Sequence, residues 1–563
     1  MQGLKFGFTF PKVYNTYFLA IISTIGGMLF GFDISSISAI IITDQYVNYF
    51  DNPAGLWQGG IGAALAGGSI VGAVASGFIS DKFGRRDSIA FAGLWWLAGT
   101  AVQVATTSRA QLIVGRCLNG VCVGITSSQV PVYRAEIAKK DKRGSIIVIQ
   151  QLAIEIGILV MYFIGYGYGF IPGPTASFRT AWGIQFVPCF ILLVGLPFLP
   201  RSPRWLAKVG RTEEAVTVLA NIQAGGDKSD PFVVAEWEEI TTVLAAEREA
   251  LPGWRKFVMN GMWRRTFAGF SVQAWQQLSG ANVMTYYLTY VFYMANLSGN
   301  INLISAGVQY ALFIVFTLVT YIFIDKTGRR PLLIFGALGM ATCHFVIGGT
   351  LGMYGKSVPE GVQGNANVTI RVTGSPSYTV IAFSYLLIIV YALTLAPVCW
   401  VYAAEVWSLE TRGKGMGYVR LLPNSPVPTS AYTPNRIAAT GNWLFNFALG
   451  LFVPPAFKNI SWKTFIVFGT LCLGAAVQFF FSYPETGRKT LEEIEIMFRP
   501  GGPKPWKTKM GESVLDERAA SVVAETQGSL AEEGKVQVVR EDGRVEMVGR
   551  GDDEKDEKEK WSS

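Results

Sequence analysis

Apolar residues run in long, nearly unbroken blocks along this chain, and polar residues gather in the gaps between them. A helix needs about 20 mainly apolar residues to cross the hydrocarbon of a bilayer. Twelve stretches meet that measure. Six lie at roughly 15–42, 57–80, 88–107, 110–131, 144–169 and 180–199, and six at roughly 265–295, 302–324, 331–353, 378–402, 437–454 and 462–483. One long polar stretch, 200–264, separates the groups, and within it 211–224 and 233–250 read as short amphipathic helices. The expected fold class is an all-α membrane protein: twelve transmembrane helices in two pseudo-symmetric six-helix halves, with a cytoplasmic helical linker domain. The boundaries that follow are an N-terminus over 1–14, an N-terminal half over 15–199 and the linker over 200–264. A C-terminal half over 265–483 comes next, then a charged tail over 484–563 that reads as mostly disordered.

Two signatures recur in the same order. Asp81-Lys82-Phe83-Gly84-Arg85-Arg86 closes one apolar block, and Asp325-Lys326-Thr327-Gly328-Arg329-Arg330 closes another. Downstream, Val132-Tyr133-Arg134-Ala135-Glu136 precedes Arg143, as Val401-Tyr402-Ala403-Ala404-Glu405 precedes Arg412 at the same offset. The pattern implies a duplicated membrane half-domain, and paired halves around a shared midplane site are an architecture of secondary transporters. The loop glycine permits a tight reversal. Asp81, Arg85, Arg86, Glu136 and Arg143, with Asp325, Arg329, Arg330, Glu405 and Arg412, supply both signs of charge at one membrane face. They are the candidate cytoplasmic gate network; the plainer alternative is that they only fix topology.

Composition agrees with a bilayer as solvent, since half of the 563 residues are hydrophobic and only 16% are charged. The net charge of +8 does not imply nucleic acid, because the basic residues are sided. Lys82, Arg85, Arg86, Lys139, Lys140, Lys142, Arg143, Lys326, Arg329, Arg330, Arg412 and Lys414 fall in loops of one face; Arg109, Arg179, Lys356, Arg371, Lys458 and Lys463 fall opposite. The positive-inside rule then puts both termini in the cytoplasm. Three glycosylation sequons, at Asn296, Asn367 and Asn459, fall on the outer side. The first apolar block lacks a signal-peptide layout and reads as a first span. The six cysteines lie inside spans without paired spacing and read as packing residues. With one histidine, no metal spacing and no phosphate loop, neither an enzyme, a metal site nor a cofactor is expected.

One segment breaks the pattern. Residues 418–436 hold four prolines just where the eleventh span should begin. Two readings stay open: a genuine loop insertion, or a retained intron, since Gly417-Tyr418-Val419-Arg420 is encodable across a GT-type splice donor. A spliced message without these codons supports the second, and a protein peptide from within them excludes it.

Several motifs in order resemble the sugar porters of the major facilitator superfamily, of the fungal sugar/proton symporter kind, over about residues 15–500. They are Gly115-Arg116, Pro131 to Glu136, Pro203-Arg204-Trp205, Gln276-Gln277-Leu278-Ser279-Gly280-Ala281-Asn282, and Pro484-Glu485-Thr486-Gly487-Arg488 running on to Ile494. The resemblance implies a sugar site between the halves, formed by Gln151, Gln276, Gln277, Asn282, Trp400 and Asn442, with Tyr286 and Tyr287 as outer aromatics. Side-chain amides offer donors and an acceptor together, as a sugar hydroxyl requires, and an indole covers the apolar face of a pyranose. Helix–helix hydrogen bonding is the plainer reading of such amides. Asp33 in span one and Arg116 in span four are the candidate proton-coupling pair, because an ionised residue at membrane depth is costly and usually paired. Glu155, four residues after Gln151, points to the same cavity and could share that role. His344 reads as a core residue. The chain departs from the family at Phe313, where relatives carry a sugar-binding Asn, with Gln309 one turn earlier. It departs again at Arg201, where an acidic residue is usual and whose change predicts a weaker lock.

The sequence therefore predicts a plasma-membrane monosaccharide transporter working by alternating access with a proton co-substrate, as a monomer in the lipid bilayer. A proton-independent facilitator and a transporter-like nutrient sensor are the alternatives.

Overall fold

The apolar blocks fold as helices whose apolar side chains remain exposed on the outer faces; Val71, Phe78, Val194, Ile322, Phe335 and Val477 are examples. Such faces suit lipid, and helices satisfy their own backbone there. The computed structural model describes residues 12–14, 16–137, 143–230, 233–234, 236–238, 240–241, 262–406, 434–487, 489, 494, 497–498, 501–510, 536–541 and 544–549. Arg412, residues 418–433, residues 1–11 and most of the tail lie outside these, as do the side chains of Arg143 and Asp325.

The first half comprises α1 (Thr16–Ser38), α2 (Asp44–Tyr49), α3 (Leu56–Phe83), α4 (Arg85–Val104), α5 (Arg109–Ile137), α6 (Arg143–Tyr168), α7 (Ala176–Gly183) and α8 (Phe186–Gly195). Two short helices follow, α9 (Pro203–Lys208) and α10 (Thr212–Gln223), the latter where the first amphipathic linker helix was expected. The second half holds α11 (Met262–Leu278), α12 (Val283–Tyr286), α13 (Leu288–Met294), α14 (Gly299–Thr327) and α15 (Arg329–Tyr354). It continues with α16 (Ser375–Leu393), α17 (Leu395–Val406), α18 (Pro434–Asn459) and α19 (Lys463–Ser482).

Among the described residues nine helical stretches are long and apolar enough to cross a membrane. Three of the twelve expected blocks miss that measure although each is helical: α4, the α11–α13 run and α18. The α11–α13 run is broken into pieces, and α11 and α18 carry the amides Gln273, Gln276, Gln277, Asn442 and Asn446. Polarity that lowers the membrane signal thus coincides with the candidate site.

Both breaks near the site have local causes. Between α11 and α12, Gly280 takes φ +78°, open to glycine at little cost. The carbonyl of Ser279 is left outside the ladder and accepts from His344 Nε2 at 2.9 Å. Between α16 and α17, Pro397 has no N–H to donate back to the preceding turn, and Thr394 turns to φ −133°, ψ −91°.

The halves meet along α3 and α18, where Gly59 faces Leu451 and Gly450 faces Ala63 so closely that added Cβ atoms would lie 3.0 and 2.9 Å from the facing backbone. At the end opposite the Asp-Lys-x-Gly-Arg-Arg loops, a small hairpin of β1 (Lys356–Ser357) and β2 (Ile370–Arg371) stands above the second half. Its turn reaches the first half: Asn52 Nδ2 donates to Gly364 O (3.0 Å) and Gly55 N to Asn367 Oδ1 (2.9 Å). Asn367 Nδ2 donates back to Pro53 O at 3.3 Å. The sequon at Asn367 is therefore buried and both ends of its amide are engaged, whereas Asn296 and Asn459 are exposed.

Two stretches of the tail carry described contacts. Trp506 packs against Phe481 (5.8 Å) and Thr508 Oγ1 accepts from Glu485 N (2.8 Å). Farther on, β3 (Val536–Glu541) pairs antiparallel with β4 (Arg544–Gly549).

Candidate functional site

Asp33 on α1 and Arg116 on α5 come together as the sequence expected. Arg116 Nη2 lies 3.2 Å from Asp33 Oδ2, with both side chains at 0% exposure. The pair is embedded in polar groups: Asn119 Nδ2 donates to Asp33 Oδ1 (3.4 Å) and Arg116 Nη1 to Ser36 Oγ (3.1 Å). A buried ion pair repays its desolvation only with such support, and loss of one member strands the other.

Two groups of amides occupy the second half. Asn442 Nδ2 donates to Gln273 Oε1 (2.8 Å) and to Gln276 Oε1 (3.0 Å). Gln276 Nε2 in turn donates to the carbonyls of Leu395 (3.2 Å) and Ala396 (3.0 Å), at the α16–α17 break. Gln277 Oε1 accepts from Asn446 Nδ2 (3.3 Å) and from Asn282 Nδ2. Tyr286 reaches the same group through its hydroxyl, 3.5 Å from Asn446 Oδ1. Trp400 is half-buried on α17, next to Cys399, whose carbonyl accepts from Gln273 Nε2 at 3.3 Å. Four predicted residues thus fall into two hydrogen-bonded groups, Gln276 with Asn442 and Gln277 with Asn282, and Trp400 adjoins the first.

Gln151 stands apart from both groups. Its Nε2 donates to Glu155 Oε1 at 2.9 Å, and the same oxygen accepts from Thr317 Oγ1 of α14 at 2.9 Å. Phe313 is buried against Tyr391, with ring centroids 5.7 Å apart, so an aromatic pair fills the place of the family's Asn. Gln309 is fully buried, and neither end of its amide has a hydrogen-bond partner.

Gln273, Asn446 and Thr317 were not singled out from sequence. A signal existed for two of them: Gln273 lies three residues before Gln276 and Asn446 four after Asn442, the spacing that shares a helix face. Thr317 lacked one, since a threonine can bond its own helix.

At the face bearing the duplicated loops, Arg85 forks onto Glu136 (3.1 Å) and Arg329 onto Glu405 (2.9 Å), each pair within one half. The other gate candidates turn elsewhere. Asp81 takes Lys208 (3.0 Å), Arg86 takes Asp87 (2.8 Å), and Arg330 donates to Phe480 O (2.9 Å). Arg201 is not the gap that its sequence implied, for it ion-pairs with Asp87 at 2.6 Å. Burial and the neighbouring cation Arg86 lower the pKa of Arg201, while Asp87 opposes them.

Comparison with known proteins fits this arrangement. Residues 19–424 and 429–498 match the family model described as Sugar (and other) transporter, and the interruption falls inside the proline-rich segment. A high-affinity glucose transporter of Kluyveromyces lactis is 42% identical over 89% of this chain and 88% of its own length. A high glucose sensor of Saccharomyces cerevisiae, RGT2, is 31% identical over 85% of this chain but only 60% of its own length. Among solved structures, the major facilitator superfamily proton:xylose symporter XylE, bound to 6-bromo-6-deoxy-D-glucose, superposes with a TM-score of 0.68. It is 25% identical and covers 86% of this chain and 99% of its own. With the buried pair, the amide groups and the duplicated loops on one scaffold, this multi-pass membrane protein belongs to the sugar transporter family of the major facilitator superfamily.

Proposed function

We propose that the chain carries a monosaccharide across the plasma membrane by alternating access, in symport with a proton. The observation that carries this reading is the fully buried Asp33–Arg116 pair, whose helix α1 is bonded through Ser38 Oγ to Thr285 O of α12, next to the amide groups of the second half. Gln276, Gln277, Asn282 and Asn442 present donors and acceptors that a sugar's hydroxyls can take over, Gln151 adds an amide from the first half, and Trp400 covers the apolar face. The names of the relatives, a glucose transporter and a proton:xylose symporter, support the substrate class and the co-substrate.

In the proposed cycle a proton from outside neutralises Asp33, Arg116 is released to Ser36 and its neighbours, and the halves rock with sugar bound. A proton crossing about 100 mV gains roughly 2.3 kcal/mol and one pH unit adds about 1.4, together enough to concentrate sugar several hundred-fold. The duplicated loops lie in the cytoplasm with both termini and the linker. There the Arg85–Glu136 and Arg329–Glu405 pairs belong to the gate that closes this face, and a single chain suffices.

A second reading, a nutrient sensor, is favoured only by the 31% likeness to the yeast sensor, of which this chain spans 60%. Uptake of labelled glucose in a transporter-deficient host separates the two. Uptake with sugar-evoked alkalinisation of a weakly buffered suspension is expected. Uptake indifferent to an uncoupler makes the chain a facilitator, and binding without uptake makes it a sensor.

A further inference from the structure

Glu155 has no part in the cycle above, yet it joins the two halves. It is 1% exposed on α6, and both of its hydrogen-bond donors, Gln151 of its own helix and Thr317 of the opposite half, reach the same oxygen, Oε1. Oε2 is buried and has no hydrogen-bond partner. Among the described residues no cation pairs with it. Tyr391 of α16 is a titratable side chain near it, and Cys399 of α17 is near Tyr391 in turn. From α1 the neighbours are Met28 and Gly31, packed on Gly157, Ile154 and Ile158, and Asp33 turns away to Arg116. An uncompensated carboxylate here would be a costly charge at membrane depth. Two donors on one oxygen and none on the other is the pattern of a neutral acid, with Oε1 as carbonyl and Oε2 as hydroxyl.

We propose that Glu155 is a second proton-binding group of the transport cycle, separate from Asp33–Arg116, which ties sugar binding at Gln151 to closure of the seam at Thr317. The proposal rests on the sugar-transport reading. As a neutral acid, Glu155 clasps Thr317 and holds Gln151 by an ordinary hydrogen bond, which leaves the amide free to be shared with a sugar hydroxyl. When the halves part, Thr317 withdraws and water reaches Oε2. The O–H bond then breaks, the proton passes to a cavity water, and the electron pair stays on the carboxylate. The anion holds Gln151 Nε2 by a charge-assisted bond, about twice as strong as a neutral one. Sugar loses that amide. Proton and sugar therefore favour each other's binding, and the linkage is reciprocal.

The test uses the full chain in a transporter-deficient host, with the KM for labelled D-glucose measured from acidic to mildly alkaline pH. In the wild type KM should rise about fivefold with pH, the loss of roughly one neutral hydrogen bond's worth of binding. In Glu155→Gln, which fixes the neutral form, KM should stay flat. A wild-type KM indifferent to pH overturns the proposal, and so does a Glu155→Gln profile that follows the wild type. Asp33→Asn, assayed by equilibrium counterflow, should keep the rise; a flat profile there assigns the effect to Asp33 and also overturns it. Failure of the wild type to transport glucose or any other monosaccharide is a different result, which sinks the transport reading itself. Should Glu155→Gln not reach the membrane, infrared difference spectra of purified Asp33→Asn protein decide. A carboxylic-acid band that shifts on adding glucose is expected, and its absence overturns the proposal.

Discussion

The two copies of the Asp-Lys-x-Gly-Arg-Arg loop are built alike and finished differently. In the first half Arg85 forks onto Glu136, Ser202 Oγ donates to the same carboxylate (2.5 Å), and Tyr133 OH donates to Pro200 O (2.7 Å). In the second half Arg329 forks onto Glu405, Thr486 Oγ1 donates to it (2.7 Å), and Tyr402 OH donates to Pro484 O (3.4 Å). Gly84 and Gly328 turn both loops at φ +89° and +77°. The copies diverge most plainly at Glu485 and Arg201. Glu485 accepts from Arg329 N (2.8 Å) and Arg330 N (3.0 Å), capping the start of α15. Its counterpart Arg201 instead pairs with Asp87 in the first turn of α4 and lies over Trp205 (5.2 Å), whose ring covers Gly84. Duplication kept the arginine–carboxylate clasp and its tyrosine and hydroxyl supports, while the start of the next helix receives an incoming carboxylate in the second copy and, in the first, carries an acid in its own first turn that is held by two arginines.

The largest effect expected follows from that difference. Glu485→Ala strips two backbone N–H groups at a buried helix start of their charged acceptor, at a cost of about 3 kcal/mol. Thermal unfolding of the purified protein should show it, whereas Arg201→Ala should cost far less. Equal losses would mean that the capping roles are not divided as described. Next come the shared clasps: Glu136→Gln and Glu405→Gln should each cost about 2 kcal/mol, within about 0.5 of one another, because both replace a forked charged contact by a neutral one. Unfolding of the two variants side by side checks this, and a wide gap would break the equivalence.

What sequence disclosed and what it hid divide along the same line. The duplicated loops, Asp33 and Arg116 stood out because a charge at membrane depth is costly and usually paired, and because one charge pattern recurs at fixed spacing. Gln276, Gln277, Asn282 and Asn442 were legible as a set through the family motif, but which amide meets which depends on the breaks at Gly280 and Thr394. Glu485 stood in a recognised motif, yet its partners are backbone groups more than 150 positions away, and no side-chain pattern announces those. Arg201 was read as a lost acid. Its partner Asp87 lies one position past the loop motif, where the second copy has Pro331, so comparison of the motifs alone could not supply it. The hairpin at 356–371 and the engagement of Asn367 were hidden for a related reason: a strand of two residues leaves no periodicity to read.

A charge reversal sharpens the comparison at smaller scale. Arg201→Glu puts the second half's acid into the first half, but it faces Asp87 rather than a proline. The single variant should lose about 1 kcal/mol through like charges at a partly exposed site. Adding Asp87→Ala should recover most of that, as the new carboxylate turns to the N-terminus of α4. The double-mutant cycle, read by unfolding, isolates the coupling; additivity would show that Arg201 and Asp87 do not act as a pair.

The smallest effect concerns what each loop is anchored to. Asp81 is held by Lys208 of α9, with the two side chains 17% and 26% exposed, while the second loop is anchored through Glu485 to the tail at Thr508. A partly exposed lysine pair is screened by solvent and salt, and Lys208 spends side-chain entropy to make it. Lys208→Ala should therefore shift unfolding by no more than about 0.5 kcal/mol, and the shift should shrink as salt rises. Trp205, which donates its indole N–H to Asp81 O at 3.2 Å, remains to hold the linker on the loop. A salt-independent loss much larger than that would make the lysine, rather than the tryptophan, the tie between linker and first half, and the first loop would then depend on a charge where the second depends on a cap.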